Sequence, residues 1–253
     1  MSADRPEVWL LPQPEPDSPL ASLDRSVLDA QERHRADNCR RTAGGVLYAT
    51  AHIMLRRLLA AGLGIPAREV AFTRAAGPHG RPEVDRPPRP VRFSLSHTNG
   101  MVLIGVATGP AAAPVGVDVE LVPGSETVRV CTAALHPDEQ AELAEVEEGP
   151  RRRVSFGQLW TRKEAYLKGI GTGLARPLAA DYAGADRRRR PAGWTMRDIA
   201  CGPQHTAAVA IAGPEAVRVR WLAPEWLLAD EGGAPYGVGE PPGVGALMAT
   251  AAA

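Results

Sequence analysis

An α+β fold made of two similar halves is predicted by three features of this chain. Signals for a strand, then helices, then a meander of strands occur twice in that order. The stretch Gly109 to Pro114 separates the two occurrences and reads as a linker. The 253 residues, 44% of them hydrophobic, suffice to bury one large core or two small ones. The halves are expected over 1–112 and 113–228 as pseudo-symmetric α/β subdomains, with the active groups facing a cleft between them.

Val8 to Leu11 is the first strand, followed by a turn-rich connection from Pro12 to Pro19. Leu20 to about Arg35 has mixed helical character, and Arg41 to Leu63 is a long amphipathic helix stopped by Gly62 and Gly64. Strands are expected at Val70 to Arg74, Val91 to Ser96 and Met101 to Thr108. The last two join through His97-Thr98-Asn99-Gly100, where Asn-Gly supplies the positive φ angles of a tight hairpin. The second half restarts with a strand at Val115 to Leu121 and continues through helices at about Pro137 to Glu148 and Val154 to Gly169. It closes on strands at Leu178 to Ala183, Gly193 to Ile199, His205 to Ile211 and Ala216 to Leu222. Past Ala229 the chain is rich in Gly, Pro and Ala, so 229–253 is expected to be a disordered tail.

Two charged clusters carry the chemistry. In Val115-Gly116-Val117-Asp118-Val119-Glu120, strand alternation sends the valines to one face and Gly116, Asp118 and Glu120 to the other. In Trp160-Thr161-Arg162-Lys163-Glu164-Ala165-Tyr166-Leu167-Lys168, helical spacing puts Trp160, Glu164 and Lys168 on one stripe. Taken singly, an acid at a strand end and a Glu-Lys pair four residues apart are ordinary solvated features. Two carboxylates at i, i+2 after a run of valines are harder to dismiss, because they repel by about 1 kcal/mol or more unless a cation separates them. Magnesium suits such a site, being a hard ion that takes oxygen ligands and keeps waters while phosphates complete its shell.

Gly-Val-Asp-Val-Glu followed by Trp-Thr-Arg-Lys-Glu-Ala-Tyr-Leu-Lys resembles the two signature motifs of the 4'-phosphopantetheinyl transferases, G-x-D-x-E and W-x-x-K-E-x-x-x-K. Gly80-Arg81-Pro82 is similar to the family's Gly-Lys-Pro, Phe93 to Thr98 to its F-x-x-S-H segment, and Arg41 heads a long apolar helix as it does there. The order holds over roughly residues 28 to 225. The resemblance implies the two-subdomain fold of that family and a Mg2+-dependent transfer of the 4'-phosphopantetheine arm of coenzyme A to a serine of an apo acyl or peptidyl carrier protein.

On that resemblance, Asp118 and Glu120 are metal ligands, and Glu164 is a third ligand, the base that takes the serine proton, or both in turn. Lys168 sits on the pyrophosphate and offsets charge on the leaving oxygen. Arg41 and His97 hold the 3'-phosphate of coenzyme A, with Ser96 beside them, while Gly80, Arg81 and Pro82 border the cofactor and Asp118 also touches it. Arg81 keeps the charge of the usual lysine but replaces a compact ammonium by a planar fork. Arg33, Arg35 and Lys163 stay unassigned, the last lying about 100° around the helix from Glu164 and serving either the cofactor rim or the fold. Chain length favours the broad-specificity, Sfp-type branch, a monomer serving polyketide and nonribosomal peptide synthases. A magnesium-dependent phosphohydrolase could use the same acids and lysine. An inactive coenzyme A-binding or carrier-docking adaptor would be marked by loss of Asp118, Glu164 or Lys168, and all three are present.

With 29 basic and 29 acidic residues there is no electrostatic footprint for nucleic acid or an anionic membrane. Cys39, Cys131 and Cys201 lack the spacing of a disulfide framework or zinc site. No signal peptide is read at the start and no window is read as a membrane span, so a cytoplasmic protein is expected. Gly169-Ile170-Gly171-Thr172-Gly173 follows a helix and lacks a P-loop ending, so it reads as a helix stop and active-site turn.

Overall fold

The computed structural model describes residues 6–12, 24–38, 43–75, 80–213 and 217–222. Arg41, Cys39 and the expected tail at 229–253 lie outside the described residues. Three strands of the first half, β1 (Glu7–Pro12), β4 (Val91–Thr98) and β5 (Met101–Thr108), are joined by β9 (Arg218–Trp221) in a sheet ordered β4-β5-β1-β9. A short pair, β2 (Phe72–Arg74) and β3 (Pro82–Val84), forms a separate ribbon. The second half builds an antiparallel sheet ordered β6-β8-β7 from β6 (Val115–Leu121), β7 (Trp194–Ile199) and β8 (His205–Ala212).

β1 is apolar almost throughout because both of its faces are covered. Trp9 and Leu11 face helix α2 (Ala43–Leu63), where they meet Ile53, Met54 and Leu59. Val8 and Leu10 face the second sheet, where they meet Val115, Val117 and Val119 of β6. Helix α5 (Pro150–Ile170) covers the far side of that sheet through Phe156, Leu159 and Ala165 against Ala208 and Ala210. The result is a stack of helix, sheet, sheet and helix, with the smaller helices α1 (Ala30–Asn38), α3 (Ser125–Cys131) and α4 (Pro137–Ala144) at its margins.

Several expectations need correction. Leu178 to Ala183 is not a strand: Leu178–Ala180 is a short 3-10 turn. Its carbonyls have another partner, since Lys163 Nζ donates to Leu178 O at 2.7 Å and to Asp181 O at 2.5 Å. The strand at Arg218–Trp221, read as part of the second half, pairs in parallel with β1 in the first. Its arginines meet Glu7, which is 2% exposed, with Arg218 and Arg220 at 3.4 and 3.3 Å, and it covers an apolar edge that would otherwise invite mispairing. His97 lies within β4 opposite Val102, and only Asn99 and Gly100 form the turn, with Gly100 at φ 91°. Strand β3 went unread because Pro82 opens it.

Gly44 to Leu63 reaches the length and mean hydropathy, 1.2, of a membrane span, contrary to the sequence reading. That window is 72% buried, and Arg56 within it is paired to Glu32 of α1 and to Asp29 just before it, so the packing is that of a core helix.

Lys163 belongs to the fold. Its ammonium, on a side chain 4% exposed, lies 2.8 Å from Glu139 Oε2, which is fully buried, and ties α5 to α4 and to the 178–181 turn. Removing one partner of a buried pair strands the other charge. Lys163→Ala is therefore expected to cost about 3–5 kcal/mol in urea unfolding. A loss under about 1 kcal/mol would show that Glu139 is satisfied without it.

Candidate active site

The glycine of the first motif is a steric requirement. A Cβ on Gly116 would stand 1.9 Å from Ala165 O and 2.4 Å from Gly169 N, so the β6 backbone lies directly against α5. Gly169 answers from the helix, where a Cβ would come within 2.6 Å of the Trp194 ring. This contact sets how far Asp118, two residues along β6, stands from Lys168, one residue before Gly169. Lys168 Nζ donates to Asp118 Oδ1 at 2.6 Å and to Ser96 Oγ at 3.0 Å, and Ser96 Oγ donates to the same Oδ1 at 2.9 Å. Ser94 Oγ accepts from Val117 N at 3.1 Å, joining the edge of β6 to β4. Sequence reading missed Ser94, although its period-two relation to Ser96 was visible.

Asp118 is 1% exposed, and its second oxygen, Oδ2, is buried without a hydrogen-bond partner. Burial and the charge of Asp118 hold the Glu120 carboxyl above its ordinary value, with Lys168 opposing. Glu164 is raised for the same reasons in the same order. Glu120 and Glu164, both raised by the neighbouring charge of Asp118, crowd an acidic corner that a cation would relieve. Among the described residues no three His, Cys, Asp or Glu side chains converge into a finished metal cage. The donors instead suit an ion that takes one or two carboxylates and completes its shell with phosphate and water, as Mg2+ does.

Beside this cluster opens a cavity of about 590 Å3 between α1, α2, β2–β3, β4 and the end of α5. Lys168, Arg81 and Pro82 line it, together with Arg35, Arg74, Phe72, Phe93 and three residues not singled out by sequence, Glu32, Tyr48 and His52. The unread signal was polarity, since His52, Arg56 and Arg57 interrupt a largely apolar helix. His97 sits at the end of β4 on the same strand face as Phe93 and Leu95. Burial, then the charges of His52 and Lys168, push its imidazole below its ordinary value. Ser96 points to the opposite face, toward Asp118, so the two neighbours serve different parts of the site.

Arg81 reaches the end of α5, where Nη1 donates to Gly169 O at 3.3 Å, so it braces the catalytic helix as well as bordering the cavity. Gly80 owes its identity to closure of the ribbon, where a Cβ would stand 1.8 Å from Ala75 O. Gly171, at φ 79°, ends α5 in the left-handed conformation and borders the cavity, which is the expected helix stop. Trp160 packs on Phe156 and the core below it.

Residues 114–210 match the profile of the 4'-phosphopantetheinyl transferase superfamily. A protein of Synechocystis sp. whose name assigns it to the same transferases is 33% identical over 176 residues, covering 69% of this chain and 68% of the relative. The 4'-phosphopantetheinyl transferase HetI of Nostoc sp. is 27% identical over 83% of this chain and 89% of its own length. A 4'-phosphopantetheinyl transferase of Bacillus subtilis is 27% identical over 57% of this chain and 58% of its own. The chain belongs to the 4'-phosphopantetheinyl transferase superfamily. It is an enzyme of that class, and its α+β architecture is consistent with the family fold.

Two outcomes are expected. Gly116→Ala must displace backbone, not a flexible side-chain tip, so it should cost about 1–3 kcal/mol of stability and lower transfer at least about tenfold. Wild-type transfer by the variant would show that the spacing of β6 and α5 does not set the site. Glu164→Gln should raise the thermal midpoint of the metal-free protein near neutral pH while impairing transfer. The folded chain keeps the Glu164 proton to higher pH than the unfolded chain, so ionisation removes stability as pH rises from the ordinary 4.5 through the raised value. A lowered midpoint would mean that the carboxylate is not crowded.

Proposed function

We propose that this enzyme, of the broad-specificity branch, transfers the 4'-phosphopantetheine of coenzyme A to the serine hydroxyl of an apo acyl or peptidyl carrier protein, with Mg2+. The observation that carries this reading is a buried carboxylate with one unpartnered oxygen, held by Lys168 at the mouth of a cation-lined cavity. The cavity's size suits the nucleotide part of coenzyme A. A cytoplasmic monomer is part of the same proposal.

In this reading the serine oxygen forms a bond to the phosphorus bearing the pantetheine arm. The bond from that phosphorus to the leaving adenosine 3',5'-bisphosphate breaks, and the serine proton passes to Glu164. A carboxyl raised by burial and by Asp118 is a better base near neutrality than an ordinary one. Lys168, 32% exposed, leaves its Asp118 and Ser96 partners or shares them to meet the pyrophosphate, offsetting charge on the leaving oxygen. Asp118 and Glu120 would hold Mg2+, which would supply positive charge against the same phosphates, and Glu164 is left to act as the base. Ser96 orients Asp118, while His97 and Arg81 border the nucleotide. Arg41, by resemblance, adds a phosphate contact. The inactive-adaptor reading requires loss of groups that this chain keeps together.

Incubation with a generic apo carrier, coenzyme A and Mg2+ should add one phosphopantetheine to the carrier's intact mass, with no gain in EDTA. Asp118→Ala should lower the rate by at least about a hundredfold in a folded protein, by analogy with loss of other preorganised charge. Coenzyme A binding without transfer to any of several carriers would favour the adaptor.

A further inference from the structure

The wall of the cavity formed by α1 and α2 carries an arrangement that the transfer step does not use. Tyr48, His52 and Arg56 fall four residues apart on one stripe of α2. Arg56, 2% exposed, donates from Nε to Glu32 Oε2 at 2.7 Å and from Nη2 to Asp29 Oδ2 at 3.1 Å. Glu32 and Asp29 cap α1 reciprocally, Asp29 N donating to Glu32 Oε2 at 3.0 Å and Glu32 N to Asp29 Oδ1 at 2.8 Å. The remaining oxygen, Glu32 Oε1, lies 2.9 Å from His52 Nδ1. Tyr48 stacks on the imidazole with centroids 4.1 Å apart and planes at 25°.

His52 is thus fixed in position, in plane and in the nitrogen it gives to the protein. A carboxylate behind one ring nitrogen is how proteins orient a histidine whose other nitrogen meets a ligand. Nε2 makes no hydrogen bond among the described residues, and the side chain, 20% exposed, borders the cavity. Arg56 offsets one of the two acidic charges behind it, Asp29 and Glu32, and four cations, Arg35, Arg74, Arg81 and Lys168, face the same space, so the balance stays positive. His97 feels the charges of His52 and Lys168. Like charges gathered around an open cavity call for an anion, and the pyrophosphate is already assigned to the Lys168 end.

We propose that His52, oriented by Glu32, is a further ligand of the 3'-phosphate of coenzyme A and a determinant of its selection over the dephospho form. This rests on the function proposed above. With Glu32 accepting from Nδ1, the proposed contact is donation from Nε2–H to the phosphate monoester, and Glu32 is a positioning residue.

Calorimetric binding of coenzyme A and 3'-dephospho-coenzyme A to the full chain tests it. His52→Phe keeps a ring against Tyr48 and removes both nitrogens. Loss of one charge-assisted hydrogen bond should weaken coenzyme A by about tenfold or more and the dephospho form by about twofold at most. Equal weakening of both would reduce His52 to a wall of the cavity, and no change in either would remove it from the site. Both results would overturn the assignment. His52→Asn carries the same comparison should the phenylalanine variant not fold. A wild-type protein that binds neither compound would remove the proposed function, and the assignment with it.

Discussion

The site depends on the close approach of β6 to α5. Neither element alone places Asp118 against Lys168. The bare backbone at Gly116, fitted to the Ala165 carbonyl and to Gly169, brings Lys168 Nζ to 2.6 Å from Asp118 Oδ1. Everything around it serves that contact: the valines of β6 anchor the strand on the first sheet, Trp194 presses on Gly169, and Lys163 fixes the helix through a buried acid. The motif's first lysine therefore holds the helix that its second lysine uses.

Charge is sorted across the cleft. Carboxylates crowd on the β6 side, where burial and Asp118 raise Glu120 and Glu164. Imidazoles and guanidinium groups gather on the α1, α2 and β2–β3 side, where His97 is depressed by burial, His52 and Lys168. Each side carries a repulsion that a ligand of the opposite sign relieves. A site that holds such repulsion trades stability for readiness to bind. Lys168 spans the two sides, which suits a residue that meets a phosphate and a metal-binding carboxylate.

The strands around the site were legible because their signals are local. Alternation marked β6, Asn-Gly marked the β4–β5 hairpin, and Gly171 marked the end of α5. The errors share a cause. The stretch from Leu178 to Ala183 has strand-like composition, but its carbonyls are taken by a lysine fifteen or more residues upstream. Arg218–Trp221 follows the second sheet in sequence, yet it pairs with β1, over two hundred residues away. The helical run of α2 hid its Glu32-linked stripe because periodicity registers apolar residues and passes over a few polar ones.

By itself the sequence determined the class of chemistry, since residue types and spacing already put Asp118 and Glu120 on one strand face and Glu164 and Lys168 on one helix stripe. Only the tertiary structure decided which charges meet. It separated Lys163 from Lys168, turned Ser96 and His97 to opposite faces of β4, and brought His52 to the cavity with Glu32 behind it. The reason is range: alternation and helical pitch act over a few residues, whereas these pairings arise where elements far apart in the chain are pressed together by a shared core.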